Sequence, residues 1–190
     1  MKLATTFIIL LLTAFPALAD IERFERTELN FDFKVNNELS FGIKQFHNHP
    51  DNHEWIRYKI KDTPYQFEYR RQTLNDQKLN NVRFQIKHYD NGFFYWSRFE
   101  YRERQRRDNQ LRYRPRIGYK WQKYELIGQP YIFVEPHYVI DTKQIPLIMT
   151  YVGTKWKGKK VDYGIFVQTQ SNDRYQPRRI WVGTEILIKF

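Results

Sequence analysis

The chain has 190 residues, 32 Lys+Arg against 21 Asp+Glu, a formal charge of +11, an aromatic content of 18% and no cysteine. That length suits one domain, the missing cysteines exclude a fold held by disulfides, and the charge points to anionic partners. Nothing in the composition suggests a linker, a low-complexity tract or an internal repeat.

Residues 1–19 have the features of a secretory leader. Lys2 is a short basic n-region, the apolar stretch runs from Thr6 to Phe15, and Ala17-Leu18-Ala19 fits an A-x-A cleavage site. The apolar stretch is too short to cross a bilayer as a helix. We therefore expect a signal peptide over 1–19, an exported protein, and one domain over 20–190. Since Lys2 is the only charged residue in the leader, 31 basic residues remain against 21 acidic ones, leaving +10.

Beyond the leader, period-2 alternation recurs between clusters of Asn, Asp, Gly and Pro, and hardly any stretch carries a helical period. The expected strands, in chain order, are 27–35, 38–45, 55–61, 65–71, 81–89, 93–105, 111–121, 131–140, 147–157, 161–170 and 178–190. Asp90-Asn91-Gly92 is the strongest local hairpin signal, and Lys157-Gly158-Lys159 is a second tight reversal. If Phe33 opposes Phe41 and Phe31 opposes Ile43, the first hairpin turns over Asn36-Asn37-Glu38; Ile60 opposite Tyr65 closes another over 61–64. Longer polar segments at 47–54, 73–80, 106–110 and 171–177 alternate with these turns, an asymmetry proper to transmembrane β-barrels.

Two termini on one side of a membrane require an even strand count, and eleven runs are visible. The apolar phase shifts between Phe24 and Leu29, so 21–26 is expected to supply a twelfth strand, with ten as the alternative. The expected fold is all-β: a single antiparallel transmembrane β-barrel of about twelve strands. A two-sheet soluble sandwich is the competing architecture.

Each run has an apolar and a charged face. Val82, Phe84 and Ile86 oppose Arg83, Gln85 and Lys87; Tyr95, Phe99 and Tyr101 oppose Arg98, Glu100, Arg102 and Arg104. The apolar face is too rich in Phe, Tyr and Trp for the inside of a small closed barrel, so it is expected to face lipid. The last ten residues alternate strictly and end on Phe190. This resembles the C-terminal signature that outer-membrane barrels present to the barrel assembly machinery, which makes Phe190 the candidate assembly signal.

With the charged face inside, the densest stretch is Arg98-Phe-Glu-Tyr-Arg-Glu-Arg104 followed by Arg112-Tyr-Arg-Pro-Arg116. Arg83, Arg98, Arg102, Arg104, Arg112, Arg114 and Arg116 are candidate anion-binding groups, since guanidinium forks grip carboxylate, phosphate and sulfate. Glu100, Glu135 and His137 are the candidate counter-groups. Pro115 predicts a bulge or edge in its strand. The order of the R-x-E-x-R strand, the R-Y-R-x-R strand and Pro130-Tyr-Ile-Phe-Val-Glu135, followed by a tight hairpin and an aromatic terminus, resembles an uncharacterised family of small Gram-negative outer-membrane β-barrels, a domain of unknown function. The resemblance implies a location and a fold but no activity. A more distant similarity is to the small porins for acidic oligosaccharides.

The expected function is a porin-like, small anion-selective pore or a binding barrel for acidic solutes. Its expected surroundings are outer-membrane lipid and lipopolysaccharide, with no cofactor and no nucleic-acid partner. A closed barrel of structural or surface-interaction role is the alternative, since Arg and Glu also build packing lattices. Two catalytic or metal readings are weaker. Glu135 and His137 share an inward face, where a carboxylate and a histidine can activate water or serine, but Ser97 falls on the opposite one; no catalytic set is assigned, and an outer-membrane hydrolase or lipid-modifying enzyme is the lesser alternative. His47, His49, His53 and Asp51 could form only a weak zinc or copper site, and no metal is assigned.

Overall fold

The computed structural model describes residues 22–190 except 48–50, 75–76, 106–107, 124–127, 173 and 175. Among these residues there are twelve strands and no helix: β1 (Glu22–Lys34), β2 (Leu39–His47), β3 (Asp51–Lys59), β4 (Tyr65–Leu74), β5 (Gln77–Asp90), β6 (Phe93–Arg104), β7 (Gln110–Tyr113), β8 (Arg116–Lys120), β9 (Gln129–Val139), β10 (Gln144–Lys157), β11 (Val161–Ser171) and β12 (Pro177–Lys189). The leader and Ile21 lie outside the described residues.

Consecutive strands pair as hairpins from β1 to β6, and the ring closes through β9–β10, β10–β11, β11–β12 and β12–β1. Strands β7 and β8 share one place in it. Both pair with β6 on one side and β9 on the other, separated only by Arg114 and Pro115. Proline has no N–H to give the ladder, and the strand breaks there as its sequence predicts. Twelve strands therefore fill eleven staves of a closed β-barrel.

An odd ring cannot be antiparallel all the way round, because direction reverses at each step and the last step must fail. The failure falls at β1–β12, which pair in parallel from Glu22 opposite Arg179 to Asp32 opposite Lys189. Every other pairing is antiparallel. This corrects three expectations. Glu22 to Arg26 is the start of β1, not a separate strand; the count of twelve comes from the split at Pro115. The two ends of the described chain lie at opposite rims instead of the same one. Finally, turns and loops do not segregate. Connections at the rim bearing Phe190 span two to eight residues and those at the other rim two to five, because much of 47–54 and 73–80 is strand.

The predicted registers hold where they were specific: Phe33 opposes Phe41, Phe31 opposes Ile43, and the Ile60 N–H donates to the Tyr65 carbonyl at 3.1 Å. At the β5–β6 reversal Asn91 and Gly92 both take positive φ, 44° and 89°, the backbone a two-residue turn of matching twist requires. The parallel seam is fastened at its end by the last residue. The Phe190 N–H donates to the Asp32 carbonyl at 3.1 Å, and the Phe190 ring stacks 4.6 Å from Phe33, itself 5.1 Å from Phe41.

Polarity is inverted relative to a water-soluble fold. Phe41, Ile56, Phe67, Phe99, Ile117 and Tyr163 are exposed on the outer face, whereas Asn81, Glu100 and Gln168 are 0% exposed inside. Large inward aromatics are accommodated where the neighbouring strand has no side chain. Trp55 lies over Gly42 and Phe166 over Gly183, so close that a Cβ on either glycine would fall 2.3 or 2.5 Å from the ring.

Candidate functional site

The enclosed charges form rows set by strand register, since residues opposed across a ladder point to the same side. One row crosses five staves as Arg57, Glu68, Arg83, Glu100 and Arg112, with the sign of charge alternating at each step. Four of these five are linked directly. Arg57 Nη2 is 3.1 Å from Glu68, Arg83 Nη1 donates to Glu68 at 2.9 Å, and Arg83 Nε donates to Glu100 at 2.6 Å. Arg112 turns instead to Gln110, donating from Nε at 3.0 Å and from Nη2 at 2.6 Å.

The chain of ion pairs continues across the Pro115 break. Glu100 also accepts from Arg102 Nη2 at 3.0 Å and from Arg114 Nη1 at 3.2 Å. Arg114 bridges onward to Glu135, which takes Arg116 Nε at 2.6 Å, lies 3.1 Å from His137 Nε2, and stands 3.9 Å from Arg98 Nη1. Breaking the stave lets Arg114 and Arg116 approach Glu135 from two short strands. Glu100 and Glu135 are 0% and 1% exposed, so both carboxylates are closed off by the cations around them.

Eight of the ten predicted interior residues thus meet in one lattice: Arg83, Arg98, Arg102, Arg114, Arg116, Glu100, Glu135 and His137. Arg112 lies beside it without reaching a carboxylate, and Arg104 is drawn to the rim, where its Nε donates to the Asp108 carbonyl at 2.6 Å. Glu68, Arg57 and Arg70 belong to the same lattice, Arg70 Nη2 standing 2.9 Å from Glu68. The register carries the signal for two of them, Glu68 lying opposite Arg83 and Arg57 opposite Glu68, whereas Arg70, opposite Trp55 and Asn81, reaches Glu68 from two residues along its own strand. A second cluster fills the far side of the barrel. There Arg26 pairs with Glu28 at 2.5 Å, donates to Gln168 at 2.8 Å, and its guanidinium lies 5.3 to 5.9 Å from the rings of Phe46, Phe166 and Trp181.

Chemically, the lattice fixes charge by pairing it across strands. It presents no nucleophile to the Glu135–His137 pair, because Ser97 is on the outer face of β6 with its hydroxyl donating to Tyr113 at 3.3 Å. Of the histidine segment, 48–50 fall outside the described residues, and His53 is held by Asp51 at 3.0 Å and Arg70 at 3.3 Å. Among the described residues no group of three His, Asp or Glu side chains converges as a metal site. Phe190, the remaining predicted residue, sits at the seam described above. In comparisons with known proteins, no family model, curated protein or solved structure matches the chain.

Proposed function

We propose that this chain is a bacterial outer-membrane β-barrel, exported by the leader at 1–19, whose Arg- and Lys-rich interior binds small acidic solutes. The observation that carries the proposal is the inverted polarity. Exposed Phe, Tyr, Ile and Val encircle the barrel while Arg83, Glu100 and Glu135 are enclosed. In water such a belt far exceeds the few hundred Å² of contiguous apolar surface that soluble monomers show, and the hydrophobic effect would oppose it. In hydrocarbon it is the favourable arrangement. The dimensions agree: the 13 residues of β1 at ~3.3 Å each, tilted ~40°, rise roughly 33 Å, enough for an apolar band of about 25 Å.

Lipid and lipopolysaccharide then surround the belt, and the barrel assembly machinery engages the terminal strand at Phe190. Between the two forms of the function, binding barrel and open pore, the enclosure of Glu100 and Glu135 among paired arginines favours the binding barrel. A purified barrel should migrate differently on a gel before and after boiling, float with vesicles, and show little steady conductance in planar bilayers. A monodisperse, detergent-free soluble protein would overturn the membrane reading. Large anion-selective currents, weakened by neutralising Arg114 and Arg116, would restore the pore.

A further inference from the structure

The rows next to the alternating one break its pattern. One step towards the Phe190 rim, the opposed residues on β3 to β6 are Lys59, Gln66, Gln85 and Arg98, with amides where the neighbouring row has Glu68 and Arg83. One step further, Lys87, Trp96 and Arg116 oppose one another. On these staves neither row contains a carboxylate, and Arg116 alone among their cations hydrogen-bonds one, Glu135 on β9.

Their donors are correspondingly underused. Arg98 is 9% exposed, its Nε has no protein partner, and its nearest carboxylate, Glu135, lies 3.9 Å away. Gln66 is 5% exposed; its Oε1 accepts from Lys87 Nζ at 2.8 Å, which leaves the Nε2 amide without a protein partner. Lys87 Nζ and the Arg116 guanidinium lie 4.8 and 4.6 Å from the Trp96 ring centroid. A buried donor without an acceptor is costly. At the rim above them lies a cleft of about 330 Å³ whose charged lining is Lys120, Lys157 and Asp90, one positive charge in excess.

We infer that Gln66, Lys87 and Arg98 form an oxyanion site inside the barrel, reached from the Phe190 rim, taking a tetrahedral or planar group such as phosphate, sulfate or carboxylate. The site supplies only donors: an amide N–H, an ammonium and a guanidinium edge. It therefore suits a fully ionised group and disfavours a neutral hydroxyl compound, which must also donate. This inference rests on the proposed binding barrel and names the place and class of its ligand.

The test uses the full mature chain refolded in detergent, titrated calorimetrically with inorganic phosphate, sulfate, acetate and, as the neutral control, glycerol. Phosphate or acetate should bind at one site, and the control should not. Gln66→Glu is the decisive variant, because it continues the sign alternation and puts a carboxylate where the anion would sit. It should fold, lose anion binding by at least tenfold, and melt at a temperature that no longer rises with added phosphate. Lys87→Met should weaken binding similarly, while Lys61→Met on the exposed rim should not. Should Lys87→Met fail to fold, Gln66→Leu replaces it with the same expectation. A folded, vesicle-embedded wild-type barrel that binds none of the anions up to 10 mM, or binding that survives Gln66→Glu, would overturn the site while leaving the membrane barrel intact. A chain that is soluble without detergent refutes the reading on which the site rests.

Discussion

Replacing Glu135 by Gln removes one charge from the most crowded point of the interior without changing its shape. Glu135 is 1% exposed and serves Arg114, Arg116, Arg98 and His137. After the change Arg114 keeps Glu100 at 3.2 Å, but Arg116 and Arg98 lose the only carboxylate that either reaches among the described residues. An ion pair at ~4 Å and an effective dielectric constant of ~20 is worth about 4 kcal/mol, and removing one partner of a buried pair typically costs about 3–5 kcal/mol. The amide still accepts one hydrogen bond, so we expect a loss of about 3 kcal/mol. The internal control is Glu185→Gln, which breaks a pair with Lys155 of 2.7 Å whose side chains are 20% and 36% exposed. Solvent screening limits that loss to about 1 kcal/mol or less, and added salt should reduce it further. Equilibrium urea unfolding in phospholipid vesicles, followed by tryptophan fluorescence at low and high salt, measures both. If the two variants lose the same stability within error, the enclosed lattice does not hold the barrel together and the reasoning fails.

Three further outcomes are expected. Gly42→Ala should destabilise by about 2 kcal/mol or more, since its Cβ would fall 2.3 Å from the Trp55 ring and 2.4 Å from the Phe31 carbonyl oxygen; shortening Trp55 to Leu in the same chain should recover only part of the loss in the same unfolding assay. Single-tryptophan variants in brominated-lipid vesicles should divide by face. Trp156, stacked 5.1 Å from Tyr163 on the outside, should be strongly quenched and the enclosed Trp55 weakly, and equal quenching would contradict the assignment of faces. Phe190→Ala should cost about 1 kcal/mol through loss of its stack on Phe33, read as a lower urea midpoint, with slower refolding into vesicles.

How much of this was legible in the residues depended on the distance over which each feature is decided. Alternation is a two-residue property, so the sides taken by Phe84 and Arg83, or by Phe99 and Glu100, followed from the chain alone. The reversal at Asn91-Gly92 and the interruption at Pro115 are equally local. Strand length was harder to read: His53 and Asp51 are inward-pointing parts of β3, and a polar interior makes them look like loop residues. The direction of β1 relative to β12 is set only when the whole ring closes, so nothing within 22–34 could announce a parallel seam. Residue types in the lattice were visible, but partners were not. Arg112 opposes Glu100, yet Arg114, two residues on and beyond the strand's end, takes the contact. Gln66 and Gln85 carry no signal in the chain, because amides matter only beside rows of alternating charge.

The parallel seam also has a topological consequence. Glu22 and Phe190, the first and last of the described residues, stand at opposite mouths of the barrel and would face different sides of any bilayer holding it, so epitopes placed at these two positions would answer to antibodies in different compartments. For the same reason a short peptide cannot join the ends into a circular permutant. Such a bridge would have to travel the full height of the wall, through the occupied bore or along the greasy exterior.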